Sequence, residues 1–250
     1  MLIDQGIAML EITAVVMGRQ DTLHPAFLWN ESKAILIDTC YPGQLPLIEH
    51  ALKELGFSLQ QLTDIIITHQ DIDHIGSLPA LIQSSPSTFG VWASRMEQPY
   101  IQGERMLIKI SQDAVDQAVR SLPPKVPEEK RRAFRHALEN PPKANVTQLI
   151  GYEEGNRLSS FDDLIILDTP GHTPGHISLY HQPSRTFIAG DALILHEGVL
   201  RIADSRLNVD NEVALRSLMQ LSSYPIDQII CYHGGLFRGD VQARLQALIG

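Results

Sequence analysis

Apolar and polar positions fall into short blocks along this chain, and the blocks repeat a strand-and-helix alternation in two stretches. The segments MLEITAVVMG (9–18), PAFLWN (25–30) and KAILID (33–38) are short, rich in β-formers and separated by polar breaks, which predicts strands. LPLIEHALKELGF (45–57) has helical spacing, with Gly56 placed to stop the helix. DIIIT (64–68) is a continuous apolar run, as expected of a strand covered on both faces. A helix at SLPALIQ (77–83) and a strand at FGVWA (89–93) follow.

Residues 94–145 differ in character. ISQDAVDQAVRSL (110–122) and PEEKRRAFRHALE (127–139) read as helices with polar and basic faces, and prolines separate them. This stretch reads as a helical insertion or lid, or else as a helical layer of the core. Strands return at LIILD (164–168), HISLY (176–180) and RTFIAG (185–190). An amphipathic helix at 211–221, a buried strand at 226–233 and a helix at 240–249 close the chain. Strands and helices alternating in two similar stretches suggest two sheets sandwiched between helices, in a single domain spanning 1–250.

Charge and composition narrow the picture. The formal net charge of -9 disfavours a phosphate backbone, so no nucleic-acid partner is expected. Cys40 and Cys231 form no CxxC pair, and a reducing cytoplasmic setting is the simpler expectation. The first residues lack a basic n-region and a small-residue cleavage site, so they do not read as a signal peptide. No apolar stretch approaches the roughly 20 residues that span a bilayer, so a soluble protein with no membrane partner is expected. The oligomeric state cannot be read from the sequence.

The chemistry sits at strand ends. Thr-His-Gln-Asp-Ile-Asp-His-Ile-Gly (68–76) packs His69, Asp71, Asp73 and His74 into six residues directly after a buried run. Imidazole with carboxylate suits zinc, iron or manganese. Asp168-Thr-Pro-Gly-His-Thr-Pro-Gly-His176 also follows an apolar run, and Pro170-Gly171 forces a turn that aims His172 outward. One of His172 and His176 reads as a ligand and the other as its support. Ile188-Ala-Gly-Asp191 and Cys231-Tyr-His-Gly-Gly235 repeat the placement with Asp191 and His233. Each of these last motifs is weak alone. A ligand-type residue just past a buried strand in all four cases argues for one site at one edge of the sandwich.

Taken together, His69-x-Asp71-x-Asp73-His74, TPGHTPG, GD and a late His-Gly resemble the metallo-β-lactamase superfamily, from Asp38 to His233. The resemblance implies an αββα four-layer sandwich of the α/β class. It implies two divalent metal ions, zinc by preference, in a cleft at the sheet edges. His69, Asp71 and His172 would hold the first, Asp73, His74 and His233 the second, and Asp191 would bridge them. Asp38 and His176 would support the ligands from behind. The implied activity is a metallo-hydrolase that attacks an ester, thioester, lactone or amide-type carbonyl of a small molecule with a metal-bridging hydroxide. Asp73 would orient the nucleophile or shuttle a proton.

Asp71 departs from the family pattern, which has His there. Two divalent ions with two carboxylates and a hydroxide leave a charge of about +1, and Asp71 brings it to zero. That makes the site a weaker Lewis acid and favours iron or manganese relative to zinc. The same carboxylate suggests the alternative of a di-iron oxygen- or electron-handling protein.

Overall fold

A computed structural model describes residues 1–16, 18–84, 89–151, 157–158 and 161–249. Two sheets are packed face to face. The seven-stranded sheet runs Leu2–Asp4, Ile7–Met9, Ala26–Trp29, Ala34–Ile37, Asp64–Ile67, Gly90–Ser94 and Gln148–Ile150 in spatial order. The six-stranded sheet runs Arg157–Leu158, Phe161–Asp168, Ile177–His181, Thr186–Ile188, Gln228–Cys231 and Gly235–Arg238.

The side-chain alternation of single strands builds the layers. Ile65 and Ile67 join the core between the first sheet and its outer helices, while Ile66 points into the core between the sheets. Leu36 and the pair Ile35 and Ile37 divide the same way. In the second sheet Leu164 and Ile166 face the first sheet, and Leu167 faces the helices beyond. Three apolar cores between four layers make an αββα sandwich, as expected. The continuous apolar run at 64–67 therefore reports two covered faces. A one-residue slip of this strand would exchange those faces and carry His69 out of position.

Helix ends follow from local chemistry. Leu45–Glu54 starts with a proline in its first turn and is followed by Gly56 at φ +84. Ser111 caps Gln112–Arg120 by accepting from Ala114 N, and Asp210 caps Asn211–Leu218 by accepting from Val213 N. Gln112–Arg120 and Glu128–Glu139 lie between the adjacent strands Gly90–Ser94 and Gln148–Ile150, where helices were expected. No helix among the described residues is long and apolar enough to cross a membrane.

Two hairpins depart from the sequence reading. The run 9–18 is not one strand. Ile7–Met9 is wholly buried in the sheet, whereas Ile12–Val16 alternates between inward and outward positions and pairs with Arg19–Leu23. Met17, inside that run, lies outside the described residues. Leu193–His196 pairs with Val199–Ile202 across Glu197 and Gly198, both at positive φ (52 and 76). That is a two-residue hairpin turn of the primed kind, in a segment for which the sequence reading gave no element.

Candidate metal centre

The strand Asp64–Ile67 delivers Thr68 and His69 directly to the sheet edge. Asp71 then opens a single helical turn, Ile72–Ile75, but makes no side-chain cap bond. Its carboxylate faces imidazoles instead, with Oδ2 3.3 Å from His69 Nε2 and 3.1 Å from His172 Nε2. The same turn sets Asp73 and His74 beside it. Asp73 Oδ2 lies 3.7 Å from His74 Nε2 and 3.2 Å from His233 Nε2.

Asp191 stands between the two groups. Its Oδ1 is 3.3 Å from His74 Nε2, and its Oδ2 is 3.2 Å from His172 Nε2 and 3.5 Å from His233 Nε2. The four separated segments therefore meet, and all seven residues singled out as ligands gather at one place. They form a group of His69, Asp71, His172 and Asp191, and a group of Asp73, His74 and His233, each with ligand atoms within 4.8 Å of one another.

This donor set fits metal ions. His69 Nε2, His74 Nε2 and Asp191 Oδ1 are buried and make no hydrogen bond. Folded proteins rarely leave such atoms unsatisfied, and a cation among them would satisfy all three. His233 has the most exposed side chain of the seven, at 32%, and marks the open side.

The supporting hydrogen bonds set which nitrogen faces inward. Asp38 accepts from Thr68 N at 2.9 Å, from Thr68 Oγ1 at 2.8 Å and from His74 Nδ1 at 2.8 Å. Its backbone at φ 65 is uncommon for a residue with a side chain, and these bonds offset the strain. With the proton on Nδ1, His74 turns Nε2 toward Asp191. Asn208 Oδ1 lies 3.1 Å from His172 Nδ1 and orients that ring in the same way.

His176 faces a different task. Its Nε2 accepts from Asp191 N at 3.0 Å, and its Nδ1 lies 2.8 Å from Thr169 Oγ1. Both nitrogens are used, so His176 positions Asp191. Burial, then the neighbouring His69 and His172, push His176 well below the usual range, which keeps the acceptor nitrogen free of a proton. Gly190 makes the approach possible, because a Cβ there would come within 2.7 Å of His176 Nε2.

Charges across the centre are strongly linked. Burial works against a proton on His233, but Asp191 and Asp73 outweigh it and raise His233 to about 10. Asp38, Asp191 and Asp73 likewise hold His74 well above its ordinary value despite burial. Burial and then His74 push His69 down. Asp71 is held well below the usual carboxylate range, against burial, by His69, His172 and Lys109. The carboxylates thus favour positive charge among them, the charge that a bound cation would supply.

Several residues of the centre carried no signal in the sequence. Glu97 is fully buried, and its carboxylate accepts from Gln70 N at 3.0 Å, Gln70 Nε2 at 2.9 Å, Thr173 Oγ1 at 2.8 Å and Gly175 N at 2.8 Å. It ties the 69–74 loop to the 172–176 loop. Tyr232 OH donates to Asp73 O at 2.6 Å and accepts from Cys40 N at 3.1 Å, while its ring lies 4.0 Å from that of His74. Lys109 reaches into the first group.

Two sheets between helices, with seven side chains of a kind that can hold metal ions gathered at one sheet edge, are the arrangement expected of a metallo-hydrolase. The chain belongs to the metallo-beta-lactamase superfamily, whose family model matches residues 25–233. It is 28% identical over 212 residues to YflN of Bacillus subtilis, a probable metallo-hydrolase, covering 80% of this chain and 75% of that one. It is 32% identical over 170 residues to the uncharacterized protein YobT of the same organism, covering 68% of this chain and 61% of that one. Among solved structures, a metallo-beta-lactamase family protein of Thermus thermophilus superposes with a TM-score of 0.68 at 23% identity. That match covers 99% of this chain and 79% of the other.

Proposed function

We propose that the protein hydrolyses an activated carbonyl of a small molecule, an ester, thioester, lactone or amide, at a centre of two divalent metal sites. The observation that carries this reading is the convergence of His69, Asp71, Asp73, His74, His172, Asp191 and His233, with buried lone pairs directed inward. Bound there, divalent cations supply Lewis acidity and a water nucleophile at neutral pH. The chain's own residues do the rest. Asp38 and Asn208 hold His74 and His172 in register. Asp73 faces the half-exposed His233 at 3.2 Å, on the open side, and is placed to take a proton from incoming water and pass it to the leaving group.

A cleft of about 1030 Å³ lies between the hairpin carrying Val16 and Arg19 and the helices carrying Ala118 and Phe134. Tyr41 lines it, and burial and then the Asp73 carboxylate push its phenol up. Leu122, Val126 and Phe134 suit an apolar acyl or alcohol portion, with Arg19 and Lys130 at its polar side. On this reading the helices of the 94–145 stretch would cover the substrate as a lid.

The reading is tested by stripping the protein with a chelator and assaying a panel of esters, thioesters and lactones before and after adding back zinc, manganese or iron. Turnover of at least one class is expected to vanish on stripping and return with metal. Bound iron with oxygen-dependent colour changes and no hydrolysis of any class would instead favour the oxygen-handling alternative.

A further inference from the structure

Lys109 lies on the stretch between Gln98–Ile101 and Gln112–Arg120. Its Nζ is 2.5 Å from Asp71 Oδ2 and 2.6 Å from His172 Nε2. Those are two of the atoms that the first group turns inward. At 2.6 Å Lys109 is placed to donate to the Nε2 lone pair that His172 would otherwise offer to a metal ion.

The lysine is not a loose surface side chain that happens to fall inward. Ile108 N, one residue before it, donates to Gln70 Oε1 at 2.7 Å. Gln70 is fully buried and is itself held by Glu97 through its backbone N and Nε2. Leu107 is anchored in the core as well. The motif residue between His69 and Asp71 therefore fixes the backbone that delivers the lysine. Charge agrees with geometry. Asp71 brings a negative charge to the first group, and Lys109 supplies the matching positive one.

We infer that Lys109 is a resident cation of the first group, which competes with a metal ion for Asp71 and His172. The two sites are then unequal. The group of Asp73, His74 and His233, with Asp191, takes metal first, and the first group takes it only when Lys109 withdraws. This rests on the proposed reading of the cluster as a metal centre.

The test is zinc titration of chelator-stripped protein by calorimetry, with total metal analysis, on the wild type, Lys109→Met and Lys109→Gln. The side chain is partly exposed, so both variants should fold, and two of them guard against one failing. The wild type is expected to bind one zinc tightly and a second much more weakly. In both variants the weaker site should tighten by about tenfold or more. Two equally tight sites in the wild type, or a weak site unchanged in both variants, would overturn the inference while leaving the metal centre intact. No zinc bound by any of the three proteins would remove the metal-centre reading and the inference with it.

Discussion

Asp191→Ala is expected to lower hydrolytic turnover by about three orders of magnitude and to strip the protein of metal. Among the described residues Asp191 is the one whose carboxylate touches imidazoles of both groups, at 3.3 Å from His74, 3.2 Å from His172 and 3.5 Å from His233. Removing it deprives each site of a negative ligand. It also leaves His74 and His233 without a carboxylate that offsets their burial. His176 should stay in place, because it accepts from the Asp191 backbone and not from the side chain. Asp191→Asn separates charge from shape. It should fail almost as badly, since a neutral amide oxygen is a poor substitute for a carboxylate between two cations. Turnover and metal content near those of the wild type in both variants would show that Asp191 is not shared between sites.

The second large effect concerns stability. Glu97→Ala should cost about 3–5 kcal/mol, read as a shift in the denaturant midpoint at unchanged slope. The fully buried carboxylate accepts four hydrogen bonds, two from Gln70 and one each from Thr173 and Gly175. Alanine leaves these donors without a partner in the protein interior, and each unsatisfied buried donor costs about 1–3 kcal/mol. Partial repacking keeps the total below the sum. Activity should fall as well, because Glu97 braces the loop carrying His69, Asp71 and His74 against the loop carrying His172. A loss under about 1 kcal/mol would mean that Gln70 and Thr173 find other partners and that the brace is dispensable.

The cluster of candidate ligands was legible in the sequence because its chemistry is concentrated. His69, Asp71, Asp73 and His74 fall within six residues, and His172, Asp191 and His233 each follow a run of buried apolar residues. The strand at 64–67 was legible for the same reason that it is buried, since both of its faces meet apolar cores. The hairpin at Ile12–Val16 and Arg19–Leu23 was not, because its second strand, RQDTL, is polar and half-exposed and carries little periodicity. Glu97, Lys109 and Tyr232 were invisible for another reason. Their roles depend on contacts across the fold, such as Glu97 to Gly175 and Tyr232 to Asp73, and one sequence does not show who meets whom. Asp71 was visible as a departure, but its partner Lys109 was not, so the compensation of charge emerged only from the structure.

The most direct measurement is anomalous scattering from a crystal of the metal-soaked protein, at the edge of the added metal. A strong peak is expected within about 2.0–2.2 Å of donor atoms of Asp73, His74, His233 and Asp191. A peak confined to surface histidines such as His50 or His136, with nothing between the 69–74 loop and Asp191, would contradict a metal centre at this sheet edge.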